Sequence, residues 1–166
     1  IFIAEWNGWN FKPFILSKIV RNEEILLSKE RSTIRRVISI ETSEKIKYAL
    51  ESVVARGTAR GSYIDGYRVG GKTGTAEKLP RNQGNYLVSY IGFMPYENPE
   101  LVIYCIVDEP NSPDQAHSYY AQNIVREILE EVLPYMNIYP DEELTGRNQD
   151  LDITGTDVFY YGGQGG

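Results

Sequence analysis

GYRVGGKTGTAEKLPRNQGN, Gly66 to Asn85, admits two readings that lead to different folds. Its first eight residues satisfy G-x-x-x-x-G-K-[ST], the phosphate-binding loop that joins a buried strand to a helix in a parallel sheet. Asp108 and Glu109, closing the apolar run LVIYCIVDE, have the look of the strand that holds Mg²⁺ beside such a loop. The surroundings contradict this. A phosphate loop needs a helix N-terminus with free N–H groups facing the anion, yet GTAEKLPRNQGN carries Pro80, Gly84 and no apolar periodicity. The segment before Gly66 is polar loop, not a buried strand. Only Pro95 to Glu100 separates YLVSYIGFM from LVIYCIV, and parallel neighbours need a crossover of about a dozen residues or more. The stretch therefore reads as a glycine-tolerant strand, Arg68–Glu77, followed by a polar loop and two antiparallel strands, Tyr86–Met94 and Leu101–Val107.

Outward from there, helical periodicity appears on both sides. ISIETSEKIKYALESVVARG sets Ile46, Ala49, Leu50, Val53 and Val54 on one helical face. Ser39 or Thr42 is placed to cap its start, and Gly57 stands where a helix end favours a left-handed residue. A second helix runs from about Gln115 to Leu133 on the stripe Ile124, Val125, Ile128, Leu129, Val132 and Leu133, with Pro134 just beyond it. The near-continuous apolar character of LVIYCIV predicts burial on both faces. Nearer the start, FILSKIV (Phe14–Val20) alternates as a strand does, and Arg21–Glu24 is its turn. From 137 to 166 the chain is acidic and polar and ends GGQGG, which predicts a disordered tail. The expected fold is α+β, an antiparallel sheet flanked by helices, with residues 1–136 as the folded part.

A chain of 166 residues suits one domain, and a net charge of −6 argues against nucleic-acid or anionic-membrane partners. The basic residues are dispersed, Arg35–Arg36 being the nearest thing to a patch. Cys105, the single cysteine, excludes an internal disulfide and reads as an inert core thiol. No apolar run reaches the ~18 residues of a membrane span, and no targeting segment is visible. The opening IFIAEWNGWNFKPF has no initiator Met and begins inside an apolar segment, the mark of an internal piece of something longer.

Freed of the phosphate-loop frame, residues 72–75 spell K-T-G-T on an exposed strand, and K-T-G is a signature of serine β-lactamases and penicillin-binding proteins. The chain resembles the C-terminal part of the transpeptidase domain of class B penicillin-binding proteins, most like those of clostridial relatives. The resemblance runs in order through KPFILSKIV, VISIETSEKIKYALESVVARGTA, GYRVGGKTGTAEK, SYIGFMP, LVIYCIVDEP and DQAHSYYAQNIVREILEEVLP. It implies a partial penicillin-binding-protein/serine β-lactamase-like fold, with residues 1–136 the C-terminal portion of the domain. It also implies part of a peptidoglycan D,D-transpeptidase that works through an acyl-serine and has no cofactor or metal. The partners would be stem peptides ending in D-Ala-D-Ala, their β-lactam mimics and the N-terminal half of the domain. The location would be the outer face of the bacterial cytoplasmic membrane, without membrane contact by this chain itself.

The site residues follow from the same resemblance. Lys72 would supply a fixed cation for the substrate carboxylate and help move protons at the nucleophile. Thr73 and Thr75 would donate hydroxyl hydrogen bonds, and Gly74 would let the acyl chain lie close. The Thr75 N–H would complete an oxyanion hole, where one donor can be worth on the order of 3 kcal/mol.

Two family motifs are absent. No serine has a lysine three residues on, and no S-x-N occurs; Thr42-Ser43-Glu44-Lys45 and Tyr135-Met136-Asn137 are near misses in the wrong order. The chain alone is thus expected to be inactive, one wall of a site whose serine lies elsewhere, and to leave an apolar sheet face uncovered. The alternatives are a non-catalytic remnant or interaction module of the same fold and, less favoured by the GYRVGGKTGTAEK context, a serine β-lactamase or β-lactam sensor. His117 reads as opening the last helix, without chemistry, and Asp108–Glu109 as solvated acids. Lys78, Arg81 and Gln83 lie in a loop that would border the cleft. The tyrosines are scattered and form no nucleic-acid platform.

Overall fold

The structure, a computed structural model, describes residues 7–140 and 142–144. It divides into two units, Ile1–Ala49 and Leu50–Gly166. In the first, β1 (Trp9–Phe11) pairs antiparallel with β4 (Thr33–Arg36), and β2 (Lys18–Arg21) with β3 (Glu24–Ser28). Asn22 and Glu23 both take positive φ, 50° and 67°, the geometry that a two-residue primed hairpin turn demands. The turn lies where the sequence places it. The strand leading into it begins only at Lys18, not Phe14, since the segment after Pro13 is irregular. Arg36 and Arg31 stand over the rings of Trp9 and Phe11, each 5.3 Å from the ring centre.

Helix α1 (Ile40–Arg56) starts at a capped end: the Thr42 N–H donates to Ser39 Oγ at 3.1 Å, so Ser39 is the cap. Its other end departs from expectation. Gly57 is not left-handed. The N–H groups of Gly57 and Ala59 both donate to the Val53 carbonyl, at 3.0 and 3.1 Å, and a Cβ on Gly57 would stand 2.9 Å from that oxygen. Glycine is there for close approach rather than for handedness.

In the second unit, β5 (Gly70–Glu77), β6 (Tyr86–Met94) and β7 (Leu101–Asp108) form an antiparallel sheet in that order. Helix α2 (Tyr119–Tyr135) packs on β6 and β7. Its Ala121, Val125, Leu129 and Leu133 join Val54, Ala59, Ile64, Val69, Tyr90 and Met94 in one core. A fully buried leucine such as Leu129 contributes about 2 kcal/mol.

Helix α2 begins later than Gln115 because Asp114 ties down the residues before it. The Asp114 carboxylate accepts from the Ala116 N–H at 3.2 Å and lies 2.7 Å from His117 Nε2, a local turn that competes with helix. Pro134 sits inside the last turn, not beyond it; so near the end it removes only one helical hydrogen bond.

Two further expectations need correction. Strand β7 is not buried on both faces. Ile103, Cys105 and Val107 pack against the core, whereas Tyr104 and Ile106 are exposed, because among the described residues α2 covers only one side. Nor does the chain leave the core at 137. Ile138 is buried in it and its carbonyl accepts from the Tyr67 hydroxyl at 3.1 Å. The Glu142 N–H then donates to the Gly66 carbonyl at 3.1 Å. The rest of the expected tail, 141 and 145–166, lies outside the described residues.

Candidate functional site

Among the described residues strand β5 has a partner on one side only, so along its other side alternate N–H and C=O groups remain open for pairing. Its register with β6 sets Lys72 opposite Ile91, Thr73 opposite Tyr90, Gly74 opposite Ser89 and Thr75 opposite Val88. Because side chains alternate, Lys72 and Gly74 share one face, and Thr73 and Thr75 the other. Lys72 is thus in mid-strand in an antiparallel sheet, not at the head of a helix, and the phosphate-loop reading has no structural basis.

Lys72 is exposed, and its ammonium donates to the Thr73 carbonyl at 2.9 Å. Thr75 is exposed, and Thr73 is half-buried with its hydroxyl 3.3 Å from that of Thr58. A Cβ on Gly74 would lie 2.6 Å from Ser89 Oγ, so the glycine leaves a low, polar spot beside Lys72. Under the strand, Tyr90 is fully buried and crosses beneath Gly71, where a Cβ would come 2.1 Å from its hydroxyl oxygen. Burial pushes the Tyr90 pKa up to about 12, the Ser62 hydroxyl pulling weakly the other way.

The loop after β5 is anchored by charge. Lys78 Nζ meets Asp108 at 2.8 Å and Glu109 at 2.7 Å, tying the end of β5 to the end of β7. Hydrogen bonds to Asp108 and then Glu109 raise the Lys78 pKa. Those two acids, expected to be merely solvated, therefore serve as a clasp. His117 precedes α2, and its hydrogen bond leads the causes that hold the Asp114 carboxyl below its usual value. Desolvation raises the Cys105 thiol pKa, which disfavours the reactive thiolate. Among the described residues no cluster of His, Cys, Asp and Glu could hold a metal ion.

The arrangement offers an ammonium, two hydroxyls and open main chain along one edge. That set suits an extended peptide ending in a carboxylate: the edge can add a strand, and the charge and hydroxyls can hold the end. Sequence reasoning picks out Lys72, Thr73, Gly74 and Thr75 but misses Thr58, Ser89 and Gln122. Gln122 alone left a signal, a polar residue in step with the buried stripe of α2.

Comparison with known proteins identifies the family. A family model described as the penicillin binding protein transpeptidase domain matches residues 5–130. Stage V sporulation protein D of Bacillus subtilis (strain 168) is 42% identical over 138 residues, 80% of this chain and 21% of that protein. A peptidoglycan D,D-transpeptidase FtsI homolog of Mesostigma viride is 35% identical over 136 residues, 79% of this chain and 22% of that one. The chain thus spans about a fifth of the length of these relatives. Among solved structures, the transpeptidase domain of Burkholderia pseudomallei penicillin-binding protein 3 superposes with a TM-score of 0.68 at 28% identity. That match covers 85% of this chain and 41% of the other.

Proposed function

Because this chain belongs to the penicillin-binding protein transpeptidase family, we propose that it forms the substrate-binding wall of a peptidoglycan D,D-transpeptidase. In this reading the chain through at least Ile138 belongs to the C-terminal portion of the domain, and the serine nucleophile comes from a part that this sequence does not hold. The acceptor and donor are stem peptides, the donor ending in D-Ala-D-Ala, and β-lactams bind as its mimics. One observation carries the reading: an exposed Lys72 beside Thr73, Gly74 and Thr75 on a strand with an open edge.

The chemistry follows from position. The donor peptide lies along β5 as an added strand, Lys72 and the threonine hydroxyls hold its carboxylate, and the Thr75 N–H faces the oxygen that gains charge as the serine attacks. D-Alanine leaves, and the acyl-serine passes to an amine of the second stem. The working location is the outer face of the bacterial cytoplasmic membrane. No helix among the described residues is long and apolar enough to cross a membrane.

Labelling with a fluorescent penicillin tests this. The 166-residue chain alone takes no covalent label. Joined to the serine-bearing half of the domain it is labelled, and Lys72→Ala slows labelling by about a hundredfold. Label on the lone chain, or labelling indifferent to Lys72→Ala, refutes the proposal.

A further inference from the structure

We infer that Gln122 and Thr58 act as positioning residues that aim the Thr73 hydroxyl at the substrate carboxylate, an inference that rests on the reading of β5 given above. Gln122 sits in the apolar stripe of α2, only 2% exposed. A buried amide in that place is costly unless paired, and this one is paired at both ends. Its Oε1 accepts from the Gly61 N–H at 2.9 Å. Its Nε2 donates to the Thr58 carbonyl at 3.1 Å and to the Ser118 hydroxyl at 3.0 Å. A Cβ on Gly61 would lie 2.9 Å from Gln122 Oε1 and would push the amide from this position.

The loop between α1 and β5 is thereby pinned to α2 on both sides of its bend, and it presents Thr58 to Thr73 with hydroxyl oxygens 3.3 Å apart. A threonine hydroxyl has one hydrogen and turns freely. When Thr58 donates to Thr73, it occupies a Thr73 lone pair and leaves the Thr73 hydrogen for an incoming carboxylate. The donated bond also polarises that second donor. Gln122 acts one step back, by holding the peptide group of Thr58.

The test uses the protein that joins this chain to the serine-bearing half. Acylation rates are measured with a penicillin and with its carboxylate methyl ester. Their ratio reads carboxylate recognition and is insensitive to how much protein is folded. Thr58→Val lowers the ratio roughly tenfold, and Thr58→Ser restores it. Gln122→Glu, which keeps an acceptor for Gly61 but sets a carboxylate against the Thr58 carbonyl, lowers it likewise. In a Thr73→Val background neither change has a further effect. Thr58 is exposed, so its variants decide the matter even where Gln122→Glu fails to fold. A ratio lowered by Thr73→Val but untouched by Thr58→Val overturns the positioning role and leaves the strand reading standing. A ratio untouched by Thr73→Val overturns the strand reading, and this inference with it.

Discussion

Gly71 and Tyr90 form a single steric unit: the ring fills the space that a side chain on Gly71 would need. Gly71→Ala is expected to cost about 1–3 kcal/mol in urea unfolding through overpacking, and to disturb Lys72 next to it. Tyr90 also predicts a pH dependence. An unfolded tyrosine ionises near 10, whereas burial raises this one to about 12. The folded chain keeps a proton that the unfolded chain sheds, so this contribution is fully present below pH 10 and is lost as pH rises toward 12. The loss amounts to roughly 2–3 kcal/mol. Unfolding midpoints at pH 9 and pH 11 should therefore fall more steeply for the native chain than for Tyr90→Phe. Equal slopes would show that Tyr90 is not sealed as described. The hydroxyl has no well-formed hydrogen bond, so at neutral pH Tyr90→Phe should cost little.

At the scale of elements, the Lys78 clasp joins strand ends that β6 separates. Exposed ion pairs contribute little to global stability, so Lys78→Met should leave the unfolding midpoint nearly unchanged. Its effect is local. The Glu109 N–H, which donates to the Tyr86 carbonyl at 2.9 Å, should exchange severalfold faster with deuterium, and high salt should do the same to the native chain. Unaltered exchange would mean that the clasp is ornamental. The β5–β6–β7 order was legible in the sequence because each connection is short and ends in breakers. So was a cap at the start of α1, a local device that the sequence offers at Ser39 or Thr42 and the structure forms at Ser39. The pairing of β1 with β4 left no trace, since strands this short specify their register only through distant partners. The same holds for Thr58 and Gln122, which meet β5 from loop and helix. The apolar run of β7 misled because apolar residues do not reveal whether both faces have a neighbour.

For the whole molecule, the two faces of the sheet differ in what they meet. One carries Tyr90 and Val88 against the core; the other bears Lys72 and the exposed Tyr104 and Ile106. The curated relatives are several times longer than this chain, and the proposal assigns the serine-bearing part to the Lys72 face. The open edge of β5, flanked by Lys72 on that face and by the Thr73 and Thr75 hydroxyls on the other, would then hold the peptide end while the other wall does the attacking. The most direct measurement is a crystal structure of the penicilloyl adduct of the joined protein. The edge-strand mechanism predicts the adduct carboxylate within about 2.7–3.2 Å of the Thr73 and Thr75 hydroxyls, with Lys72 beside the acylated serine. An adduct whose carboxylate lies away from β5, or a Lys72 turned out of the groove, would contradict it.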